Sequence, residues 1–215
     1  MTQSVGLVHA TPLAIPPVRE AFGRLWPEVQ LVNILDEGLL VVLEADGSLG
    51  PRAVDRMARV IGLIRDTGVG VIQLSCSAYS PLVPTLRKLA SVPVLAIDDV
   101  LIEASVQRGR RIGVISTQLI TAQSIQKAAD RAGKTIELTS VFFREAFEAL
   151  ARGDGEGHDR LLRAEIEKLA DQEVIVLAQA SMTRVLPTLS DELRARVLTS
   201  PTLAVETSRA AVSAQ

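Results

Sequence analysis

The chain has 215 residues, of which 22% are charged and 3% are aromatic, and its formal net charge is −2. This composition describes an ordinary globular protein with a substantial core, and without a basic cluster we expect no nucleic acid partner. The single cysteine excludes an internal disulfide, and together with two distant histidines it offers no metal-ligand spacing, so we expect no metal site.

No segment of the sequence is expected to enter a membrane. Uncharged apolar runs all fall short of the roughly 20 residues needed to cross a bilayer. The N-terminal residues lack the cationic region of a signal peptide. We therefore expect a cytoplasmic protein with no membrane partner.

Strand-like runs alternate with helical stretches along the whole chain. The predicted strands are Val5–Val8, Val29–Ile34, Val69–Leu74, Val92–Ile97, Arg111–Ile115, Thr135–Thr139, Val174–Leu177 and Arg196–Thr199. Amphipathic helices are predicted between them, for example at Pro51–Asp66, Leu119–Arg131 and Asp159–Asp171. This alternation predicts an α/β fold with mainly parallel sheets and right-handed crossovers.

The two halves of the sequence resemble each other. Val5-Gly-Leu-Val-His-Ala opens the first half as Ile112-Gly-Val-Ile-Ser-Thr opens the second, and aligning Leu74 with Leu177 places Gln179 at the position of Cys76. We therefore predict two pseudo-symmetric Rossmann-like lobes, residues 1–105 with Cys76 and residues 106–215 with Gln179. Whether the C-terminal segment returns to the first lobe is left open.

Cys76 is the candidate reactive residue. It follows a buried strand, and open α/β sheets bind ligands at the carboxyl ends of their strands. A helix beginning near Ser80-Pro81 would favour the thiolate, and Ser77, Ser80 and nearby backbone N–H groups would bind a carboxylate or an oxyanion. The alternative is a small buried hydrophobic side chain at a strand end.

Other candidates follow the opening strands of both halves. His9 comes directly after the first strand, where it would bind substrate or act as an acid or base, unless it is a packed histidine with satisfied nitrogens. Ser116 and Thr117 occupy the equivalent place in the second half. Their hydroxyls would bind an anion, cap the next helix, or do both.

Adjacent carboxylates and the second histidine are weaker candidates. Asp36-Glu37 and Asp98-Asp99 are predicted to serve loops and helix caps, with Asp98 retained as a weak site candidate. The Gly-rich stretch Arg152–His158 reads as an exposed turn, so we expect His158 to be solvated.

The sequence resembles the aspartate/glutamate racemase superfamily, which includes hydantoin racemases, maleate isomerase and arylmalonate decarboxylase. The resemblance covers nearly the whole chain. It rests on Leu74-Ser-Cys-Ser-Ala-Tyr-Ser, Val92-Pro-Val-Leu-Ala-Ile-Asp-Asp, Arg111-Ile-Gly-Val-Ile-Ser-Thr and Val176-Leu-Ala-Gln-Ala-Ser-Met.

The resemblance implies two Rossmann-like lobes with an active site in the cleft between them, no pyridoxal phosphate or other cofactor, and a small carboxylate or cyclic amide as substrate. It also implies a homo-oligomer and a place in amino acid metabolism. Cys76 would be catalytic. The implied substrate-binding residues are His9, Ser77, Ala78, Tyr79, Ser116, Thr117, Gln179, Ala180 and Ser181.

The chain departs from the family where a second cysteine is expected. Gln179, or Ala180 if the register slips by one, cannot be a general base, so the two-thiol racemisation of the family is not expected. We predict an isomerase that acts at an α-carbon through Cys76. The alternatives are a decarboxylase, a cis-trans isomerase of a diacid, a racemase in which His9 or Tyr79 serves the opposite face, and a non-catalytic binding protein.

Other cofactor and enzyme classes are disfavoured. No G-x-G-x-x-G follows the first strand, which argues against a nicotinamide cofactor. Lys88, Lys134 and Lys168 lie in polar or surface contexts unsuited to pyridoxal phosphate. The residues around Cys76 do not form the G-x-S-x-G motif of a hydrolase.

Overall fold

The structure is a computed structural model that describes residues 3–116, 127, 129–133 and 135–214, without the side chains of residues 98, 99 and 102. The chain forms two compact units. One comprises Met1–Ile97 with Pro201–Gln215, and the other comprises Asp98–Ser200. Among the described residues, no helix is both long enough and apolar enough to cross a membrane.

The first unit contains a four-stranded parallel sheet. Its strands are β1 (Ser4–His9), β2 (Gln30–Leu35), β3 (Val71–Leu74) and β4 (Val94–Ala96), in the order β2-β1-β3-β4. The helices of this half of the chain are η1 (Pro12–Ala14), α1 (Ile15–Leu25), α2 (Gly38–Asp46), α3 (Pro51–Arg65), the 3-10 helix η2 (Ser77–Leu82) and α4 (Val83–Leu86).

The second unit contains a sheet of the same kind. Its strands are β5 (Arg111–Ser116), β6 (Glu137–Phe142), β7 (Val174–Leu177) and β8 (Val197–Thr199), in the order β6-β5-β7-β8. The described helices from Ile97 onward are α5 (Ile97–Arg108), α6 (Arg144–Ala151), α7 (Gly155–Lys168), the 3-10 helix η3 (Ala180–Thr188), α8 (Asp191–Arg196) and α9 (Ser200–Ser213). The predicted α/β class with parallel sheets is thereby confirmed.

The sheet register relates the two units residue by residue. Val8 of β1 pairs with Leu74 of β3, and Ile115 of β5 pairs with Leu177 of β7. The register thus aligns the same two leucines that the sequence repeat aligns. Cys76 and Gln179 therefore hold equivalent positions, and Ala180 does not take that place.

A glycine in each central strand allows close packing of a helix against the sheet. A Cβ on Gly6 would lie 2.8 Å from Ile64 of α3, and a Cβ on Gly113 would lie 2.9 Å from Leu169, just after α7. Such distances are too short for carbon atoms that are not bonded. The glycines therefore allow short distances between these helices and the central strands β1 and β5.

The helices flanking the sheets follow simple patterns. In α7, Leu162 and Ile166 form an apolar stripe that packs into the core of the second unit. The side chain of Asp154 caps this helix by accepting a hydrogen bond from Gly157 N at 2.8 Å. In α3, a proline occupies the first turn, and the buried face comprises Ala53, Met57, Val60, Ile61 and Ile64.

Helices α5 and α9 pass from one unit to the other. Helix α5 follows β4 of the first unit, yet the division falls between Ile97 and Asp98, earlier in the chain than the predicted boundary after residue 105. Helix α9 follows β8 of the second unit and packs on the first. There Ser208 Oγ donates to Gln73 Oε1 at 3.5 Å.

Candidate functional site

Cys76 lies at the end of β3, beside the point where the strand order of the first sheet reverses. Because β1 lies between β2 and β3, the crevice between the ends of β1 and β3 is the topological switch point, where such sheets bind ligands. Cys76 is partly exposed and has extended backbone angles, and its carbonyl oxygen accepts a hydrogen bond from Tyr79 N at 3.1 Å in the first turn of η2.

His9 holds the ends of three strands together. The ring is fully buried; Nε2 lies 3.1 Å from Asn33 Oδ1 on β2, and Nδ1 lies 2.7 Å from Ser75 Oγ after β3. Ser75 Oγ also lies 3.1 Å from Val8 O, a second acceptor for the single proton of this hydroxyl. Burial lowers the pKa of His9, and the hydrogen bond to Asn33 opposes that shift only partly. The ring is therefore neutral, with both nitrogens occupied, as in the alternative of a packed histidine.

The Tyr79 hydroxyl is engaged within the first unit. The side chain is fully buried, and its hydroxyl donates to Leu39 O in α2 at 2.7 Å. Burial, with a smaller contribution from the neighbouring Cys76, raises the pKa of Tyr79 to about 12. The phenol is thus a neutral donor that ties η2 to α2. Ser77 and Ala78, which precede it, are also buried.

Asp36, one of the adjacent carboxylates, forms an ion pair and accepts a hydrogen bond within a turn. Arg56 Nε donates to Asp36 Oδ2 at 2.7 Å, and Arg56 Nη2 donates to Oδ1 at 2.6 Å. Gly38 N also donates to Oδ1 at 3.0 Å. A Cβ on Gly38 would displace the Arg56 guanidinium from its present position beside Asp36. The side chain of Asp98 lies outside the described residues.

Gln179 is the counterpart of Cys76 in the second unit. It lies at the end of β7 with extended backbone angles, and its carbonyl oxygen accepts from Met182 N at 3.1 Å, as that of Cys76 accepts from Tyr79 N. Gln179 Nε2 donates to Ser116 Oγ at 3.5 Å. Ser116 is fully buried at the end of β5. The structure therefore brings Gln179 and Ser116 together at the switch point of the second sheet.

The remaining predicted residues of the second unit lie in or beside η3. Ala180 is buried and Ser181 is partly exposed in the first turn of this helix. Thr117 lies outside the described residues.

His158 is buried, so the prediction of a solvated residue in an exposed turn was wrong. Its side chain is 1% exposed, because α7 begins at Gly155 and turns the residue inward. His158 Nδ1 lies 2.8 Å from Asp159 Oδ1. Burial lowers the pKa of His158, and hydrogen bonds from Arg184 and His158 lower the pKa of Asp159 against the effect of its own burial.

Several of these contacts have only faint signals in the sequence. Asn33 is a polar residue in an apolar run, which marks it as unusual without identifying its partner. Ser75 precedes the cysteine and reads as part of a polar stretch. The Asp159–Arg184 pair joins residues 25 positions apart and has no sequence signal.

The described side chains define what chemistry is available. A thiol at Cys76 can take up or deliver one proton, and hydroxyls and backbone amides can stabilise an oxyanion. The amide of Gln179 can only donate and accept hydrogen bonds. Within the described ranges, no cluster of three or more metal-ligating side chains is found.

Comparisons with known proteins place this arrangement in a family. The model of the Asp/Glu/hydantoin racemase family matches residues 44–208. Among solved structures, Picrophilus torridus aspartate racemase superposes with a TM-score of 0.78 at 14% identity, covering 98% of this chain and 94% of that one. No curated protein matches the sequence.

Two further structures support the same fold. Allantoin racemase from Klebsiella pneumoniae has a TM-score of 0.75 at 16% identity, with 99% of this chain and 88% of that chain covered. Glutamate racemase from Thermus thermophilus, in complex with β-chloro-D-alanine, has a TM-score of 0.73 at 21% identity, with coverages of 99% and 81%. At these identities the likeness establishes the fold.

Proposed function

Because the chain belongs to the Asp/Glu/hydantoin racemase family, we propose that it is a cofactor-independent isomerase that acts at the α-carbon of a small carboxylate or cyclic amide. Cys76 is its acid-base group. The family consists of racemase-type isomerases. Its racemases use two thiols, whereas this chain has one cysteine.

The observation that carries the proposal is the equivalence of Cys76 and Gln179. Both residues lie two positions after corresponding strands and directly before corresponding 3-10 helices. A thiol stands at one position, and a side chain that does not titrate stands at the other. Chemistry that needs one proton donor or acceptor is therefore favoured over chemistry that needs two.

The proposed step balances with one thiol. The Cys76 thiolate removes the α-proton and becomes a thiol, while the electron pair of the C–H bond moves into the adjacent carbonyl to form an enediolate. The Ser77 hydroxyl and nearby amides of η2 stabilise the oxyanion. The same thiol then returns a proton on the face from which it took one: delivery to another atom of the conjugated system completes an isomerisation by tautomerisation, whereas delivery to the same carbon only exchanges solvent hydrogen without inversion.

The other residues are proposed to bind substrate. Ser116, Thr117 and Gln179 would donate hydrogen bonds from the second unit, with Ala180 and Ser181 contributing through the first turn of η3. His9 and Tyr79 are proposed to position the residues around Cys76 without contacting substrate. Their polar atoms are already hydrogen-bonded to Asn33, Ser75 and Leu39.

A decarboxylase is the second candidate, and the amide of Gln179 favours it. Loss of carbon dioxide from a substituted malonate breaks a C–C bond and leaves the same enediolate. One proton, delivered by the Cys76 thiol, completes the reaction, and solvent restores the thiol. No opposing base is needed.

The test is proton NMR in D₂O on the wild-type chain, Cys76→Ala and Cys76→Ser, incubated with amino acids, hydantoins, substituted malonates and maleate. We expect deuterium at the α-carbon with wild type, and at least a hundredfold slower exchange with both variants. Loss of carbon dioxide would select the decarboxylase instead. Absence of any reaction, with ligand binding that survives Cys76→Ala, would replace the enzyme with a binding protein.

Fluorescence of Trp26, the single tryptophan, checks that the variants are folded. The ring is buried and stacks on Phe22 with a centroid distance of 6.4 Å, so it reports on the core of the unit that holds Cys76. A changed emission spectrum in either variant would mean that lost activity reflects lost structure.

A further inference from the structure

Ser80 has a buried hydroxyl without a protein partner. Its side chain lies in η2, four residues after Cys76, and the residue is 7% exposed. Among the described residues, Oγ has no hydrogen-bond partner. A buried polar group left unpaired lowers stability by about 1–3 kcal/mol, and a bound ligand would supply the missing partner. Ser200 Oγ and Thr183 Oγ1 are the other such side-chain atoms among the described residues.

The same feature recurs in the second unit. Thr183 lies four residues after Gln179 in η3, as Ser80 follows Cys76 in η2, and its Oγ1 is also buried without a partner among the described residues. The two positions correspond through the register that equates Leu74 with Leu177. A hydroxyl without a partner therefore occurs at equivalent places in two differently packed units.

The geometry of a 3-10 helix places Ser80 on the same helix face as Ser77, the residue that follows Cys76. Residues three apart eclipse one another in such a helix, so Ser80 lies one turn beyond Ser77 on the same face. In η3, Thr183 eclipses Ala180 in the same way. The hydroxyls thus extend the face that begins directly after Cys76 and Gln179.

We propose that Ser80 is a substrate-binding residue, whose buried hydroxyl donates a hydrogen bond to a carboxylate or amide oxygen of the bound substrate. The proposal rests on the proposed function, because it uses the same site. A hydroxyl that binds the substrate oxygen equally in the ground state and the transition state contributes to affinity and leaves the chemical step unchanged.

The first test compares stability with kinetics in Ser80→Ala. Because the hydroxyl has no protein partner, we expect an unfolding midpoint equal to or above that of wild type, with KM raised about tenfold and kcat unchanged. Thr183→Val removes the equivalent hydroxyl at nearly constant shape. We expect the same result, an unfolding midpoint that is not lowered and a raised KM. A lowered midpoint, or an unchanged KM, would overturn the proposal.

Ser208→Ala is the matched control. Ser208 is another buried serine, but its hydroxyl has a protein partner: it donates to Gln73 Oε1 on β3 at 3.5 Å. Removing it leaves the Gln73 amide oxygen without that donor. We expect a lower unfolding midpoint and an unchanged KM, the reverse of the Ser80→Ala result.

Alkylation of Cys76 by iodoacetate separates this inference from the proposed function. Cys76 is the single cysteine, and the carboxylate of the reagent offers the oxygen that Ser80 would bind while the thiolate displaces iodide. We expect a severalfold slower reaction in Ser80→Ala and a wild-type rate in Ser208→Ala. If wild type converts no compound yet labelling depends on Ser80, the proposed function fails and the binding role stands. Labelling that is independent of Ser80, or absent in wild type, would overturn the binding role.

Discussion

Arg184 donates two hydrogen bonds to Asp159, from Nε to Oδ1 at 2.8 Å and from Nη2 to Oδ2 at 3.2 Å. The pair joins α7 to η3, the 3-10 helix that starts directly after Gln179. A Cβ on Gly155 would displace the guanidinium from this position. One carboxylate therefore adds a bidentate polar contact to the apolar packing between α7 and η3.

Asp159→Asn should destabilise the second unit. The substitution removes the charge that Arg184 pairs with and disturbs the contact with the buried His158, so we expect a loss of about 1–2 kcal/mol in the free energy of unfolding. Urea denaturation measures it. Glu167→Gln on the same helix breaks the exposed pair with Arg163 and should cost less than about 0.5 kcal/mol. Equal losses would show that the Asp159 pair acts as an ordinary surface pair.

The stability of the chain should fall as pH drops below 6.5. Burial lowers the pKa of His9 and of His158 from 6.5, so both stay neutral in the folded state while the unfolded chain binds protons. Their contribution is complete above pH 6.5 and declines as pH falls toward the folded-state pKa of each histidine, by at most about 1.4 kcal/mol per pH unit for each.

Urea denaturation between pH 8 and pH 5 tests this dependence. His158→Gln removes one of the two titrating groups, so its stability should vary less steeply with pH than that of wild type. Identical slopes for the two proteins would mean that His158 titrates with the same pKa in the folded and unfolded states.

Tyr79 should ionise near pH 12 in the folded protein. Its pKa is raised to about 12, so the folded state favours the neutral phenol, and this contribution to stability is lost as pH rises from 10 toward 12. Tyr79 is the single tyrosine, so absorbance at about 295 nm follows this group alone. In urea the midpoint should return to about 10. A midpoint near 10 in the folded protein would show that the phenol is exposed to solvent and not buried.

Gln179→Cys should add stereochemical inversion to exchange. The variant places a second thiol at the position equivalent to Cys76, which restores the pair of acid-base groups that the family uses. We expect racemisation of a substrate that wild type only exchanges, with a gain of at least a hundredfold. Chiral chromatography measures the enantiomer ratio. Gln179→Ser is the control, and inversion in that variant would show that the gain does not come from a thiol.

Regular patterning made the fold predictable. All eight strands were expected close to their observed places, because runs of Val, Ile and Leu bounded by turn residues have few alternatives. The least accurate was β6, expected at Thr135–Thr139 and found at Glu137–Phe142. Its residues are mostly exposed at the sheet edge, so the apolar pattern that locates buried strands is weak there.

The candidate site was predictable in outline, since Cys76 and Gln179 follow strands that the repeat identifies. The partners of His9 were not, because Asn33 and Ser75 approach it only through the pairing of β1 with β2 and β3. His158 was misplaced for a related reason. The glycines around it suggested a turn, whereas the cap from Asp154 allows α7 to begin before the histidine.

The passage of α5 and α9 between units bears on how a duplicated chain of this kind could arise. Each half of the sequence ends in a helix that belongs almost entirely to the compact unit formed by the other half. A single half encoded alone would leave that helix without the unit to which it belongs. Two identical halves could complete each other only by reciprocal exchange, as in a domain-swapped dimer, and joining them in one gene makes that exchange intramolecular.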